Sequence, residues 1–462
     1  MTLPKKRHDM DMTQGGILSN IVRFSLPLLA GNLFQQLYNM VDTWVIGQTD
    51  DTGAYAAVGS VAPIINILIG FFGGLASGAS VVIAQYYGAK DEKQVKRATH
   101  TALVLTVILG VVLTAIGLLM TSPILKMMLR TDGTDNAVYP AAKHYLTIYF
   151  VGLFSMMVYN MGAGILRAVG DSNRPFYFLV VSAVTNIVLD LLFVFRFGMR
   201  EDGVAWATVI AQTISAILTV IALIRTPSWI KLEFRSLKID WMHLKKIFQI
   251  GIPAAFQMAI TAFSNVFVQS YVANVSGVRM DDCLAGWTSY TKVDHFLFLP
   301  VQSIALAVTT FVGQNLGSGN PDRARRGVST AFRLALCINA VLITLVMIFA
   351  GPLAGIFNDD PQVVAYAKLL LTWVSPFYML TCINQIFASA LRGAGNTRAP
   401  MLIMLGSFVG FRQLYLFVMS NYISNELVPI AMGYPAGWLV CSIVTLLYYR
   451  AFSFEKTNVI ER

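Results

Sequence analysis

Long apolar runs alternate along this chain with short charged or Gly/Pro-rich breaks. Twelve runs stand out, near 18–44, 56–86, 98–120, 142–165, 175–197, 203–225, 247–273, 284–315, 330–350, 364–391, 399–420 and 428–450. A helix needs about 20 apolar residues to cross a hydrocarbon core. Stretches such as Ala102–Met120 and Leu334–Ala350 come close to that length with no charge inside. The pattern predicts an all-α polytopic membrane protein with twelve transmembrane helices, several of them long enough to tilt or to extend past the hydrocarbon.

The charged breaks give an orientation. One set of loops is basic: Lys5, Lys6 and Arg7; Lys90, Lys93, Lys96 and Arg97; Arg167 and Arg174; Arg225 to Lys246; Arg323, Arg325 and Arg326; Arg392 and Arg398; Arg450 and Lys456. The alternate set is acidic: Asp50 and Asp51, Asp132 and Asp135, Glu201 and Asp202, Asp281 and Asp282, Asp359 and Asp360, Glu426. Lys and Arg accumulate in loops that stay cytoplasmic, so both termini are expected in the cytoplasm and the protein in the cell's inner membrane. The same rule accounts for the net charge of +10, which is therefore no sign of nucleic-acid binding. The first apolar run is too long for a signal peptide and is expected to be retained as the first helix.

The chain repeats itself. LRAVGDSNRP at 166–175 returns as LRGAGNTRAP at 391–400, AQYYGAKDEKQVKRA at 84–98 as GQNLGSGNPDRARRG at 313–327, and FSLPLLAG at 24–31 as IGIPAAFQ at 250–257. The matched pieces fall at equal places in the loop pattern, which predicts two parallel six-helix bundles related by a pseudo-two-fold axis along the membrane normal. The expected divisions are an N-terminal bundle at 1–225, a cytoplasmic linker at 226–246 and a C-terminal bundle at 247–462. Such a plan is common among secondary transporters, although fold alone does not assign function.

Composition narrows the chemistry. Hydrophobic residues make up 56% of the chain and charged residues 13%, so each ionisable group inside a run is conspicuous. A charge at a helix centre costs at least about 2.5–3.5 kcal/mol on insertion scales, and such residues are functional by default. Those that stand out as intramembrane are Asp42, Asp190, Lys292, Asp294, His295 and Arg412. Asp42 ends a polar stripe with Asn32, Gln35, Gln36 and Asn39 on one face of the first helix, or else is a solvated helix end near Asp50 and Trp44. Asp190 follows Asn186 by four residues and shares its helix face; it is either a site residue or a helix-packing carboxylate. Carboxylate, amide and hydroxyl oxygens together can hold a proton or a hard cation such as Na⁺.

On the seventh helix Gln257, Thr261, Ser264 and Asn265 line roughly one face, either facing a substrate cavity together with Gln35 and Asn39 or bonding a neighbouring helix. Asp294 is expected to form a structural ion pair with Arg412, because unpaired membrane charges are costly. His295 reads as a bonded core histidine. Pro27 removes one backbone hydrogen bond from the first helix and is a candidate hinge. Cys283, Cys337, Cys382 and Cys441 are far apart, and with no CxxC or HExxH spacing neither a disulfide framework nor a metalloenzyme is expected.

Over nearly its whole length the chain resembles the multidrug and toxic compound extrusion (MATE) family of the multidrug/oligosaccharidyl-lipid/polysaccharide exporter superfamily. The resemblance rests on Pro27, the NMVDTWVIG segment with Asp42, Gln85 and Gly88, LRAVGDSNRP, Asn186 with Asp190, and GVAWATVIAQ with Thr208. It implies a cation-coupling site at Asp42, Asn186, Asp190 and Thr208 in the N-terminal half. One branch of the family also carries acidic residues in the seventh and tenth helices, which this chain lacks between Gln257 and Gln269 and between Leu369 and Leu391.

The expectation is a monomeric antiporter, not an enzyme and without a cofactor. It would export cationic or amphipathic organic compounds against H⁺ or Na⁺ by alternating access, with membrane lipids as its other partners and no metal beyond Na⁺ at that site. A lipid-linked saccharide flippase of the same superfamily is the alternative; it would line its cavity with several basic residues to hold a pyrophosphate. A receptor or scaffold would need neither the repeat nor the buried carboxylates.

Overall fold

The computed structural model describes residues 9–47, 52–129, 138–277 and 279–456, without side chains for 52–56 and 456. Of the residues used above to read orientation, Lys5, Lys6, Arg7, Asp50, Asp51, Asp132 and Asp135 lie outside them. Among the described residues twelve helices are long and apolar enough to cross a membrane. They are α1 Ile17–Gly47, α2 Ala57–Gly88, α3 Glu92–Leu129, α4 Val138–Ala168, α5 Asn173–Arg196, α6 Arg200–Arg225, α7 Trp241–Ala273, α8 Met280–Gly317, α9 Pro321–Ile348, α10 Pro361–Gly393, α11 Arg398–Ile423 and α12 Leu427–Ala451. All twelve expected helices are present, most running a turn or more beyond the apolar stretch; at α3, α7 and α9 a polar cap starts the helix well before the apolar residues begin.

Those caps explain the sequence repeat. Asp91 Oδ1 accepts the Gln94 N–H at 3.1 Å at the start of α3, and 229 residues later Asn320 Oδ1 accepts the Arg323 N–H at 3.0 Å at the start of α9. Asp171 Oδ1 takes the N–H groups of Asn173 and Arg174, both at 3.1 Å, at the start of α5. Its counterpart 225 residues on, Asn396, takes the Ala399 N–H at 3.3 Å at the start of α11. An Asp or Asn side chain replaces the helical partner that the first N–H groups lack. The turns before these caps need a left-handed residue: Gly170 and Gly395 have φ of 86° and 88°, and Gly319 has 79°. At the position matching Gly319 the first half has Lys90, with φ of 60°.

The chain divides into two compact units, Met1–Asp11 with Leu26–Gly251, and Met12–Ser25 with Ile252–Arg462. The division falls inside α1, two residues before Pro27, so one continuous helix contributes its first turns to one unit and the rest to the other.

In the first unit α4 is the central helix, packed against α2, α3 and α6. Its core holds Leu125, Tyr145, Leu146, Phe150, Leu153 and Val209. Between α6 and α7 the chain folds back onto this unit: Ile230 is fully buried, the Leu232 N–H reaches Leu223 O at 2.9 Å, and Trp229 packs on Tyr87. Asp240 Oδ1 accepts the N–H groups of Met242 and His243 at 3.0 and 3.3 Å, so α7 starts at Trp241, earlier than the expected 247.

In the second unit α8 is central, packed against α9 and both parts of α10. Its core includes Trp287, Tyr290, Leu297, Leu370, Tyr378 and Leu416. The segment before α1 docks here: Met12 is fully buried, its N–H donates to Gln314 Oε1 at 2.9 Å, and the Arg323 guanidinium donates to the carbonyls of Met12, Gln14 and Gly15.

Candidate functional site

Three helices of the first unit bring polar groups together. Asn186 and Asp190, one turn apart on α5, are both buried, Asp190 completely. Directly after Asp190 the helix widens into a π-helical segment, Leu191–Arg196, an irregularity that recurs at functional sites. Thr208 on α6 accepts from Asn186 Nδ2 at 3.5 Å. From α1 the Asp42 carboxyl comes within hydrogen-bonding reach of the Asp190 carboxyl and the Asn186 amide. The four residues expected to form one site therefore do meet.

The cluster holds more acceptors than donors. Asp42 Oδ1, Asn186 Oδ1 and both carboxylate oxygens of Asp190 are buried without a hydrogen-bond partner among the described residues. Buried polar groups are otherwise almost always paired, and two ionised carboxylates side by side repel as well as losing their hydration. A proton shared between them, or a small hard cation bound by these oxygens, removes both costs. The donor set suits either: oxygens only, with no group of three or more His, Cys, Asp or Glu among the described residues that would hold a transition metal.

Beside Gln35, the surroundings add residues that the sequence pattern does not single out. Gln35 and Gln212 both reach the hydroxyl of buried Tyr38, and Tyr145 lies close enough to feel both carboxylates. Beside Thr208 a cavity of about 10 Å³ is lined by Tyr149, Gly152, Met156, Val209 and Gln212, room for about one water-sized guest. Gly152 keeps α4 and α6 close: a Cβ there would lie 2.5 Å from the Val209 side chain. Helical spacing carried a signal for two of these residues, since Tyr38 stands four before Asp42 and Gln212 four after Thr208. Asn39, which was included in the stripe, is exposed.

The sequence model of the MatE family matches residues 27–192 and again 253–417, two copies starting 226 residues apart. The chain belongs to the MATE family. It is 31% identical over 445 residues, 94% of each chain, to a probable multidrug resistance protein, YoeA, of Bacillus subtilis. It is 28% identical over 431 residues, 91% of each, to a protein of Shewanella oneidensis named as an FAD transporter. The fold is similar to that of a MOP superfamily transporter from Pyrococcus furiosus, with a TM-score of 0.90 over 97% of this chain and 98% of that one at 24% identity. This MATE chain is thus a multi-pass membrane protein of a transporter family.

In the second unit of this MATE protein the polar residues singled out from the sequence contact neighbouring protein groups. Gln257 donates to Met404 Sδ at 2.6 Å, and Thr261 to the backbone oxygen of Gln257 at 2.7 Å. Arg412, almost fully buried, donates to Ser264 Oγ at 2.6 Å, Asn265 Oδ1 at 3.1 Å and Phe408 O at 3.2 Å, and stacks 4.8 Å over the Tyr434 ring. The expected ion pair of Arg412 with Asp294 is not formed. Asp294 instead accepts from the Tyr290 hydroxyl at 3.1 Å. A guanidinium can share its charge among neutral oxygens and aromatic faces, so Arg412 is accommodated here without a carboxylate. His295, read as a bonded core residue, is exposed.

Proposed function

We propose that this MATE protein is a secondary active exporter of organic compounds, driven by antiport of H⁺ or Na⁺ at Asp42, Asn186, Asp190 and Thr208. The observation that carries the reading is the group of donorless buried oxygens in the first unit. Binding a cation there neutralises the cluster, and it drives transport if the ion's affinity differs between the inward-open and outward-open forms of an alternating-access cycle. The relative named as a probable multidrug resistance protein supports drug-like substrates; in this reading they are cationic or amphipathic. The basic loops support both termini on the cytoplasmic side of the inner membrane; in this reading the protein works as a monomer, without a cofactor and without enzymatic chemistry.

A lipid-linked saccharide flippase is the weaker reading, since Arg412, the main basic candidate inside the helices, already spends its donors on Ser264, Asn265 and Phe408.

Efflux of a fluorescent organic cation from whole cells tests the proposal. Efflux is expected to collapse on adding a protonophore or a sodium ionophore, and in Asp42→Asn and Asp190→Asn expressed at normal level in the membrane. Gradient-dependent efflux retained in full by both variants would remove the site from the mechanism.

A further inference from the structure

The segment joining α6 to α7 builds a second polar site, open at the surface of the first unit. It is fixed to α3 at two consecutive residues. His100 Nε2 accepts the Glu233 N–H at 3.1 Å while its Nδ1 lies 2.7 Å from Lys96 O, an arrangement that requires the proton on Nδ1. Thr101 Oγ1 accepts the Asp240 N–H at 3.1 Å. Between these anchor points lies a cleft of about 470 Å³ lined by Arg97, His100, Arg235, Ser236, Lys238 and Asp240. Arg97 is partly neutralised by Asp240 at 3.7 Å. Arg235 and Lys238 pair with no carboxylate among the described residues, and the nearby Glu233 takes Ser236 Oγ at 3.4 Å. Three cations against one carboxylate leave the cleft lining at about two positive charges.

Its neighbours are apolar and bare. Phe234, Trp241 and Met242, next in sequence to the lining residues, are 66%, 78% and 44% exposed. On α3 the exposed apolar surface begins at Val107 and continues through Ile108 and Val111, seven residues or about 10 Å past His100. The cleft therefore lies roughly at headgroup depth, with a Trp where membrane interfaces favour one.

We propose that this cleft binds the phosphate of an anionic phospholipid, with Arg235 and Lys238 on the headgroup and Phe234 and Trp241 against the glycerol and upper acyl region. Basic side chains at a membrane surface attract anionic lipid by a factor of about five each, and a pocket converts that diffuse attraction into a retained molecule. The site sits on the linker and α3, apart from the Asp42 cluster, so it stands or falls independently of the coupling ion; only its assignment to the cytoplasmic leaflet rests on the orientation proposed above.

Native mass spectrometry of the full chain in detergent tests it, with phosphatidylglycerol, phosphatidylcholine or inorganic phosphate added. The unaltered protein should retain one phosphatidylglycerol in preference to phosphatidylcholine. The double variant Arg235→Gln/Lys238→Gln should bind phosphatidylglycerol roughly twenty- to thirty-fold more weakly, and millimolar phosphate should not displace the lipid. A second double variant, Arg326→Gln/Arg333→Gln, removes the same charge from exposed positions on α9 and should bind normally. Equal losses in the two double variants, no loss in the first, or displacement by inorganic phosphate would each overturn the proposal. Unchanged elution and melting of both variants show that the chain is folded when the lipid is counted.

Discussion

Asp190 is completely buried with two unpartnered oxygens, a state that the surrounding protein must pay to maintain. Carboxamide substitution removes the charge and the proton site while keeping the shape. Asp42→Asn and Asp190→Asn are therefore expected to raise stability or leave it unchanged while coupled transport is lost, a split that thermal melting and flux measured on the same preparations will reveal. A structural carboxylate would behave in the reverse way. The second buried charge, Arg412, offers a sharper check of the missing ion pair. A double-mutant cycle on Asp294→Asn and Arg412→Gln should give a coupling well below the roughly 3–5 kcal/mol lost when a buried pair is broken. A coupling of that full size, read from melting in detergent, would restore the pair.

At the scale of helices, the caps decide boundaries. Asp240 is the cap of α7; burial alone would raise its carboxyl pKa, but hydrogen bonds from His243 and the Met242 backbone hold it below the ordinary value. Asp240→Ala should cost about 1 kcal/mol at neutral pH, and Asp240→Asn much less. Because the folded-state pKa is lowered, this contribution is complete above the unfolded value of about 3.9 and disappears as pH falls through the folded one. The melting gap between the alanine variant and the parent should accordingly close under strongly acidic conditions and stay constant from pH 6 to 8. Lys90 is the complementary case. It holds a left-handed backbone where the second half of the chain has Gly319, so Lys90→Gly should stabilise by up to about 1 kcal/mol, whereas Gly319→Lys should destabilise.

Much of this was readable beforehand, for identifiable reasons. Twelve apolar runs predict twelve helices because hydrocarbon admits little else. The repeats at 225 and 229 residues were legible because helix starts demand Asp or Asn at fixed places. Asp42, Asn186 and Asp190 stood out because charge and amide groups are rare in such helices. The partners of Arg412 were not legible, since neutral oxygens and aromatic rings carry no distinctive spacing. The early start of α7 was missed because its first turns are basic, and the cap at Asp240 outweighs the lack of apolar residues there.

For the whole molecule the account comes down to one cluster in the first of two units. The duplicated sequence supplies two similar six-helix halves, yet among the described residues it is the first that holds neighbouring buried carboxylates with unpartnered oxygens. In the second, Gln257 Nε2 is engaged by Met404 and Asn265 Oδ1 by Arg412. This asymmetry predicts that ion coupling is lost by changes in the first unit alone. The most direct measurement is ion movement evoked by substrate in proteoliposomes, with proton and sodium gradients imposed separately, for the unaltered protein and Asp190→Asn. The account predicts substrate-dependent counterflow of one of the two ions in the unaltered protein and none in the variant; equal counterflow in both would contradict it.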